Sequence, residues 1–321
     1  MNPVLERIGT FGIVPVVTID RAEDAASLGR ALTAGDLPVA EITFRTAAAE
    51  EAIKVLHREL PDLLTGAGTI LSPDQADRAI AAGASFLVTP GFNPTVVDHC
   101  IARGYPIVPG VNSPSQVESG LERGLSVLKF FPAEASGGLA MLKSLGGPYG
   151  DVRFIPTGGV DMTNLAAYMA YPKVHAIGGS WMVKADLIRD GKFAEISRLC
   201  REAIAAMLAF DLAHIGINET SPERAVAGAV RFQDLFGFAA KEGAGSVFAG
   251  KVVELMKQPY LGEKGHIAIG TTDVDRAAAF LARKGVTFLP DSAKRDEKSG
   301  VLKAIYLDLE IGGFAVHLVK R

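Results

Sequence analysis

Ser126-Val127-Leu128-Lys129-Phe130-Phe131-Pro132 is an apolar, β-branched and aromatic run broken by one charge. It reads as a buried strand. A lysine at its centre must bury its stem and either hide or lose its charge. Burial disfavours an ammonium ion, and desolvation is how a lysine becomes an amine nucleophile near neutral pH. The plainer alternative is a lysine that snorkels from a strand end to the surface. The choice between them depends on what repeats around this run and on what faces the lysine.

The same kind of run recurs through the first two-thirds of the chain. Strands are expected at Gly12–Ile19, Val39–Arg45, Leu63–Thr69, Ser85–Thr89, Tyr105–Val111, Ser126–Phe131, Val152–Thr157 and Val174–Gly178. Amphipathic helical segments lie between them, among them Ala22–Ala34, Ala47–Leu60, Pro73–Ala82, Pro94–Arg103 and Pro114–Arg123. Ser72-Pro73, Asn93-Pro94 and Ser113-Pro114 each place a capping residue before a proline, a helix start signal. Eight such units predict an α/β fold, a (β/α)8 TIM barrel over residues 1–209. A doubly wound open sheet shares the alternation and is the competing architecture.

In a barrel the chemistry belongs where strands end and loops begin. Gly66-Ala67-Gly68-Thr69, Thr89-Pro90-Gly91, Pro109-Gly110-Val111-Asn112, Thr157-Gly158-Gly159 and Gly178-Gly179-Ser180-Trp181 all fall at such ends. Tight turns alone would explain glycines there; five such ends on one rim suggest a floor where backbone approaches a ligand. Strand alternation puts Glu41, Thr43 and Arg45 on one face, opposite Ile42 and Phe44. It likewise puts Lys129 opposite Leu128 and Phe130. Lys129, Glu41 and Arg45 are then expected in one cavity, although a structural Glu41–Arg45 pair is an alternative. A neutral amine condenses with a ketone to a Schiff base. A carboxylate beside it moves protons, and a guanidinium clamps a carboxylate. The trio therefore describes cleavage of a 2-keto acid through an enamine. Barrel loops after strands seven and eight often bind phosphate, which suits Thr157, Gly158, Gly159, Gly179 and Ser180.

Glu41-Ile-Thr-Phe-Arg45-Thr46, Gly66-Ala-Gly-Thr69, Thr89-Pro-Gly91, Pro109-Gly-Val111, Leu128-Lys129-Phe-Phe-Pro-Ala-Glu134, Pro156-Thr-Gly-Gly159 and Ile177-Gly-Gly-Ser-Trp181 occur in this order. The series resembles the 2-keto-3-deoxy-6-phosphogluconate (KDPG) aldolases, often grouped with 4-hydroxy-2-oxoglutarate (KHG) aldolase. The resemblance implies a metal-free class I aldolase that assembles as a homotrimer. It implies cleavage of 2-dehydro-3-deoxy-6-phosphogluconate to pyruvate and glyceraldehyde 3-phosphate, and of 4-hydroxy-2-oxoglutarate to pyruvate and glyoxylate. It makes Lys129 the Schiff-base lysine and Glu41 the general acid/base. Arg45 and Thr69 become carboxylate ligands, and Pro90 and Phe131 line the pocket. Thr157, Gly158, Gly159, Gly179 and Ser180 form the phosphate end. Phe44 and Thr89 depart from the common leucine and serine. Gly-Gly-Ser-Trp leans towards the gluconate-derived substrate over its galactonate epimer.

Residues 210–321 are an addition with an internal repeat. Leu212-Ala-His214-Ile-Gly-Ile217 recurs as Lys264-Gly-His266-Ile-Ala-Ile269, and Val253-Glu254-Leu-Met-Lys257 as Val316-His317-Leu-Val-Lys320. This part is similar to the glyoxalase/vicinal-oxygen-chelate fold, a smaller α+β domain of paired βαβββ units. That family often holds a divalent metal, here at His214, Glu254, His266 and His317, the last departing from a usual glutamate. Ordinary strand histidines in a domain kept for packing are the alternative.

At 321 residues, 48% hydrophobic and 21% charged with a net charge of −3, the composition is globular and offers no basic field for nucleic acid. No apolar run is long enough for a membrane span. The N-terminus lacks a signal-peptide pattern. Cys100 and Cys200, the only cysteines, show no pairing motif, so a cytoplasmic location is expected. A non-catalytic keto-acid or sugar-phosphate sensor is the rival function, against which a reactive amine beside a carboxylate counts.

Overall fold

The computed structural model describes residues 2–321. The chain divides into two compact units, Met1–Met207 and Leu208–Arg321. The division falls two residues before the expected 209/210 boundary. Leu208 is tied into the second unit, its carbonyl accepting from the Thr271 hydroxyl at 2.7 Å and from the Thr272 amide at 3.3 Å.

Unit 1 is mixed α/β. Its strands are β1 (Ile13–Val17), β2 (Val39–Thr43), β3 (Leu64–Gly68), β4 (Phe86–Val88), β5 (Ile107–Val108), β6 (Gly110–Val111), β7 (Val127–Phe130), β8 (Arg153–Pro156) and β9 (Ile177–Gly179). Every pairing is parallel. One sheet has the order β5-β4-β3-β2-β1-β9 and a second β6-β7-β8, and isolated parallel bridges pair Phe154 of β8 with Val174 and Thr157, just past β8, with Gly178 of β9. The expected fifth strand is split at Pro109. Having no N–H, Pro109 cannot donate to a ladder. Its carbonyl accepts from Lys129 N at 2.9 Å, while Gly110 N turns to the Thr89 hydroxyl at 3.2 Å. β1, β2, β3 and β7 are buried at every position, as parallel strands covered on both faces must be.

Helices begin at Pro73, Pro94 and Pro114, where the capping signals placed them. Ser72 and Asn93 side chains accept from Gln75 N and Thr95 N. Ser113 makes no such bond; there Gln116 Oε1 reaches back to Asn112 N at 2.8 Å. The helix Pro3–Phe11, capped by Asn2, was not foreseen. Among the described residues no helix is long and apolar enough to cross a membrane.

Unit 2 contains, twice in succession, a strand, a helix and three strands. The first set is β10 (Asp211–Asn218), helix Pro222–Phe236, β11 (Ala240–Glu242), β12 (Ser246–Ala249) and β13 (Val253–Met256). The second is β14 (Gly265–Thr271), helix Val274–Arg283, β15 (Lys294–Arg295), β16 (Leu302–Ile311) and β17 (Phe314–Lys320). They form one sheet, β11-β12-β13-β10-β14-β17-β16-β15, with β10 and β14 adjacent at its centre. The first helix buries Ala225 and Ala229, one turn apart, against Val247, Ala249 and Leu255.

Candidate active site

The strand parity read from the sequence holds at Lys129. Leu128 and Phe130 are fully buried on one face, and Lys129 Nζ on the other lies 3.4 Å from Glu41 Oε1. Both side chains are nearly enclosed, at 4% and 5% exposure, so the pair is desolvated. Breaking such a pair on one side leaves an uncompensated buried charge. The aromatic ring of Phe131 stands 5.0 Å from Nζ. Gly68 makes room for the carboxylate: a Cβ there would stand 2.0 Å from Glu41 Oε1.

Arg45 does not join this pair directly. β2 ends at Thr43, so alternation stops there, and Arg45 lies on the following turn, exposed, with its amide donating to the Thr43 carbonyl. Its Nε donates to Thr69 Oγ1 at 3.2 Å. Thr69 has φ 60°, a left-handed conformation that β-branched residues rarely adopt; such outliers cluster at ligand clamps. The structure therefore brings Arg45 and Thr69 together, the two residues expected to bind a carboxylate, and the Glu41–Arg45 structural pair is not formed. Thr43, the middle member of the expected face, donates to the Val17 carbonyl at 2.7 Å and supports the strand.

One cavity of about 470 Å³ is lined by Arg45, Phe131, Thr157, Gly158, Gly159, Gly179, Ser180 and Lys184 with their neighbours. Gly158 and Gly159 have φ 96° and 82°, which exposes successive backbone amides in a way only glycine does cheaply. A Cβ on Gly159 would also collide with the Glu134 side chain. Pro90 is outside this lining; its carbonyl packs against Gly110, whose Cβ would sit 2.3 Å from it. Lys184, which the sequence did not flag, also lines this cavity; it stands next to the short helix Ala185–Arg189, four residues past Ser180.

In unit 2, β10, β13, β14 and β17 bring the four flagged residues together. His214 Nε2 and His266 Nε2 are 3.2 Å apart, and each lies 3.3 and 3.1 Å, respectively, from Glu254 Oε2. His317 joins them: one nitrogen from each of the three imidazoles falls within a 4.8 Å span. Gly216, opposite His266 across β10 and β14, admits that ring, since a Cβ would stand 2.1 Å from it. Burial pushes the Glu254 carboxyl up, but hydrogen bonds from His214, His266 and Ser246 outweigh it and hold it well below the usual range. The His317 imidazole is pushed down to about 3 by burial and then by His266 and His214. His266 Nδ1 and both nitrogens of His317 are buried without a hydrogen-bond partner. Three imidazoles converging within 4.8 Å, two of them against the Glu254 carboxylate and one with no hydrogen-bond partner, fit a divalent metal of the zinc or iron type. Ser246, whose hydroxyl donates to Glu254 at 2.6 Å, is the supporting residue the sequence did not reveal.

The model of the "KDPG and KHG aldolase" family matches residues 4–199. The 2-dehydro-3-deoxy-phosphogluconate aldolase of Treponema pallidum (strain Nichols) is 50% identical over 204 residues, which is 64% of this chain and 97% of that protein. The KHG/KDPG aldolase of Escherichia coli (strain K12) is 40% identical over 62% of this chain and 94% of that protein. The crystal structure of the Legionella pneumophila KDPG aldolase, with pyruvate captured as a covalent carbinolamine, matches with a TM-score of 0.61 and 38% identity, covering 62% of this chain and 97% of that one. With the family's model spanning well over half of its length, and a buried lysine–carboxylate pair inside that span, the chain belongs to the KDPG and KHG aldolase family.

Proposed function

We propose that unit 1 is a class I aldolase cleaving 2-dehydro-3-deoxy-6-phosphogluconate to pyruvate and glyceraldehyde 3-phosphate, and 4-hydroxy-2-oxoglutarate to pyruvate and glyoxylate. The buried Lys129–Glu41 pair at 3.4 Å carries the reading. Lys129 Nζ attacks the C2 carbonyl, and the carbinolamine loses water to a protonated Schiff base. Glu41 takes the C4 hydroxyl proton as the C3–C4 bond breaks. That electron pair enters the iminium as an enamine, and the aldehyde leaves. Glu41 returns the proton to C3, and water releases pyruvate and the free amine. Arg45 and Thr69 hold the substrate carboxylate, Pro90 and Phe131 border the reacting carbon, and Thr157, Gly158, Gly159, Gly179 and Ser180 take the phosphate. No cofactor is needed. The ring of parallel pairings supports a closed (β/α)8 barrel, and we place the protein in the cytoplasm as a homotrimer. Values of kcat/KM for the gluconate-derived, galactonate-derived and hydroxy-oxoglutarate substrates test the reading. It expects the first to be highest, and preference for the galactonate epimer would overturn it.

For unit 2 the converging donor atoms support a second reading, a divalent metal centre held by His214, Glu254, His266 and His317 in a glyoxalase-like domain of residues 210–321. Such an ion supplies Lewis acidity. Its test is metal content of the full chain after loading: about one equivalent, lost in His266→Ala. Less than about a tenth of an equivalent refutes it.

A further inference from the structure

The histidine cluster opens into a cavity of about 560 Å³ whose lining is unbalanced in charge. Lys294, Lys303, Lys320 and Arg321 border it, against the single carboxylate of Glu254. Two of these cations are neutralised: Lys303 Nζ lies 2.6 Å from Asp296 Oδ2, and Arg321 Nε 2.9 Å from Asp211 Oδ1. The carboxylate is committed to His214, His266 and Ser246. The ammonium groups of Lys294 and Lys320 have no ion-pair or hydrogen-bond partner among the described residues, and both residues are exposed where they line the cavity. Two uncompensated ammonium groups on one concave surface repel each other, and the concavity focuses their field. Tyr260 and Tyr306 also line the cavity.

We propose that this cavity binds a small organic anion, a carboxylate or phosphate ester, with its charged group on Lys294 and Lys320 and an oxygen directed at the His214–Glu254–His266–His317 cluster. The proposal rests on the metal-centre reading only for the inner oxygen; the charge of the two lysines stands without it. Lysine ammoniums act here as point charges that tolerate either anion geometry.

The test uses the full chain and oxalate, a small dianion. In the cobalt(II)-loaded protein, oxalate should shift the visible absorption bands of the ion, a signal that the metal-free barrel cannot produce. Lys294→Ala/Lys320→Ala should keep the cobalt content and bind oxalate about 10-fold more weakly or worse, as expected for losing two charge-assisted contacts. Added NaCl should weaken the wild type more than the variant. Calorimetry of oxalate with chelator-treated chain separates the two readings. If cobalt is not retained but a binding event depends on Lys294 and Lys320, the anion site stands and the metal centre falls. If wild type and variant titrate alike, loaded and stripped, the anion site is overturned.

Discussion

Gly68→Ala is a sharp test of how the aldolase site is built, because it adds one methyl group and removes no functional atom. Gly68 ends β3, pairs with Thr43, and has no left-handed φ, so alanine suits its backbone. The added Cβ would lie 2.0 Å from Glu41 Oε1 and 2.7 Å from its Cγ and Cδ. Restoring van der Waals separation moves the carboxylate by about 1 Å or more. Misplacement on that scale costs catalysis about 100-fold, and the overpacking costs about 1–3 kcal/mol of stability. The assay is kcat/KM for cleavage, with thermal unfolding as the fold control. The decisive comparison is Gly68→Ala placed on Glu41→Gln. If the methyl acts by displacing the carboxylate, it should add little once that proton acceptor is gone, whereas independent effects multiply. A Gly68→Ala enzyme within about twofold of wild type, or a double variant whose losses multiply, would refute this account of the site.

Other outcomes follow from the same geometry. Arg45→Lys should raise KM for 2-keto acids by about 10-fold or more with a smaller change in kcat, since an ammonium cannot offer the guanidinium's paired donors. Lys184→Ala should weaken the phosphorylated substrate while leaving 4-hydroxy-2-oxoglutarate, which has no phosphate, almost unchanged; equal loss on both would remove Lys184 from the phosphate end. Burial pushes the Cys200 thiol up to about 12 against an ordinary 9.0. The unfolded chain therefore ionises first: the contribution is intact below pH 9 and lost as pH rises towards 12, about 2–3 kcal/mol by pH 11. Denaturant unfolding of Cys200→Ala should lose that part of the alkaline slope, and an unchanged slope would count against it.

Much of this arrangement was legible because strand alternation and apolar runs are local. Lys129 opposite Leu128 and Phe130 needed only a period of two, and Glu41 followed from the same rule on β2. The rule failed at Arg45, because nothing in the residues fixes where a strand stops; Thr43 ends it and the turn delivers Arg45 to Thr69. Asn2-Pro3 carried the same start signal as Ser72-Pro73 and was passed over, hence the unforeseen first helix. Lys184 was invisible for another reason. It reaches the cavity through loop packing, and an exposed lysine at a short helix carries no periodic mark. In unit 2 the repeat flagged all four donors, yet the approach of His214 to His266 within hydrogen-bonding distance depends on β10 lying beside β14, a pairing between the two halves. The repeat contains Lys320 but not its companion at the cavity, because Lys294 lies on β15, outside the recurring motifs.

The central claim is that Lys129 forms the covalent link to the keto acid. Borohydride reduction in the presence of pyruvate, followed by proteolysis and mass spectrometry, tests it most directly. One reduced pyruvyl adduct is expected, on the peptide carrying Lys129 and absent in Lys129→Ala. An active enzyme that yields no adduct, or an adduct on another lysine, would contradict it.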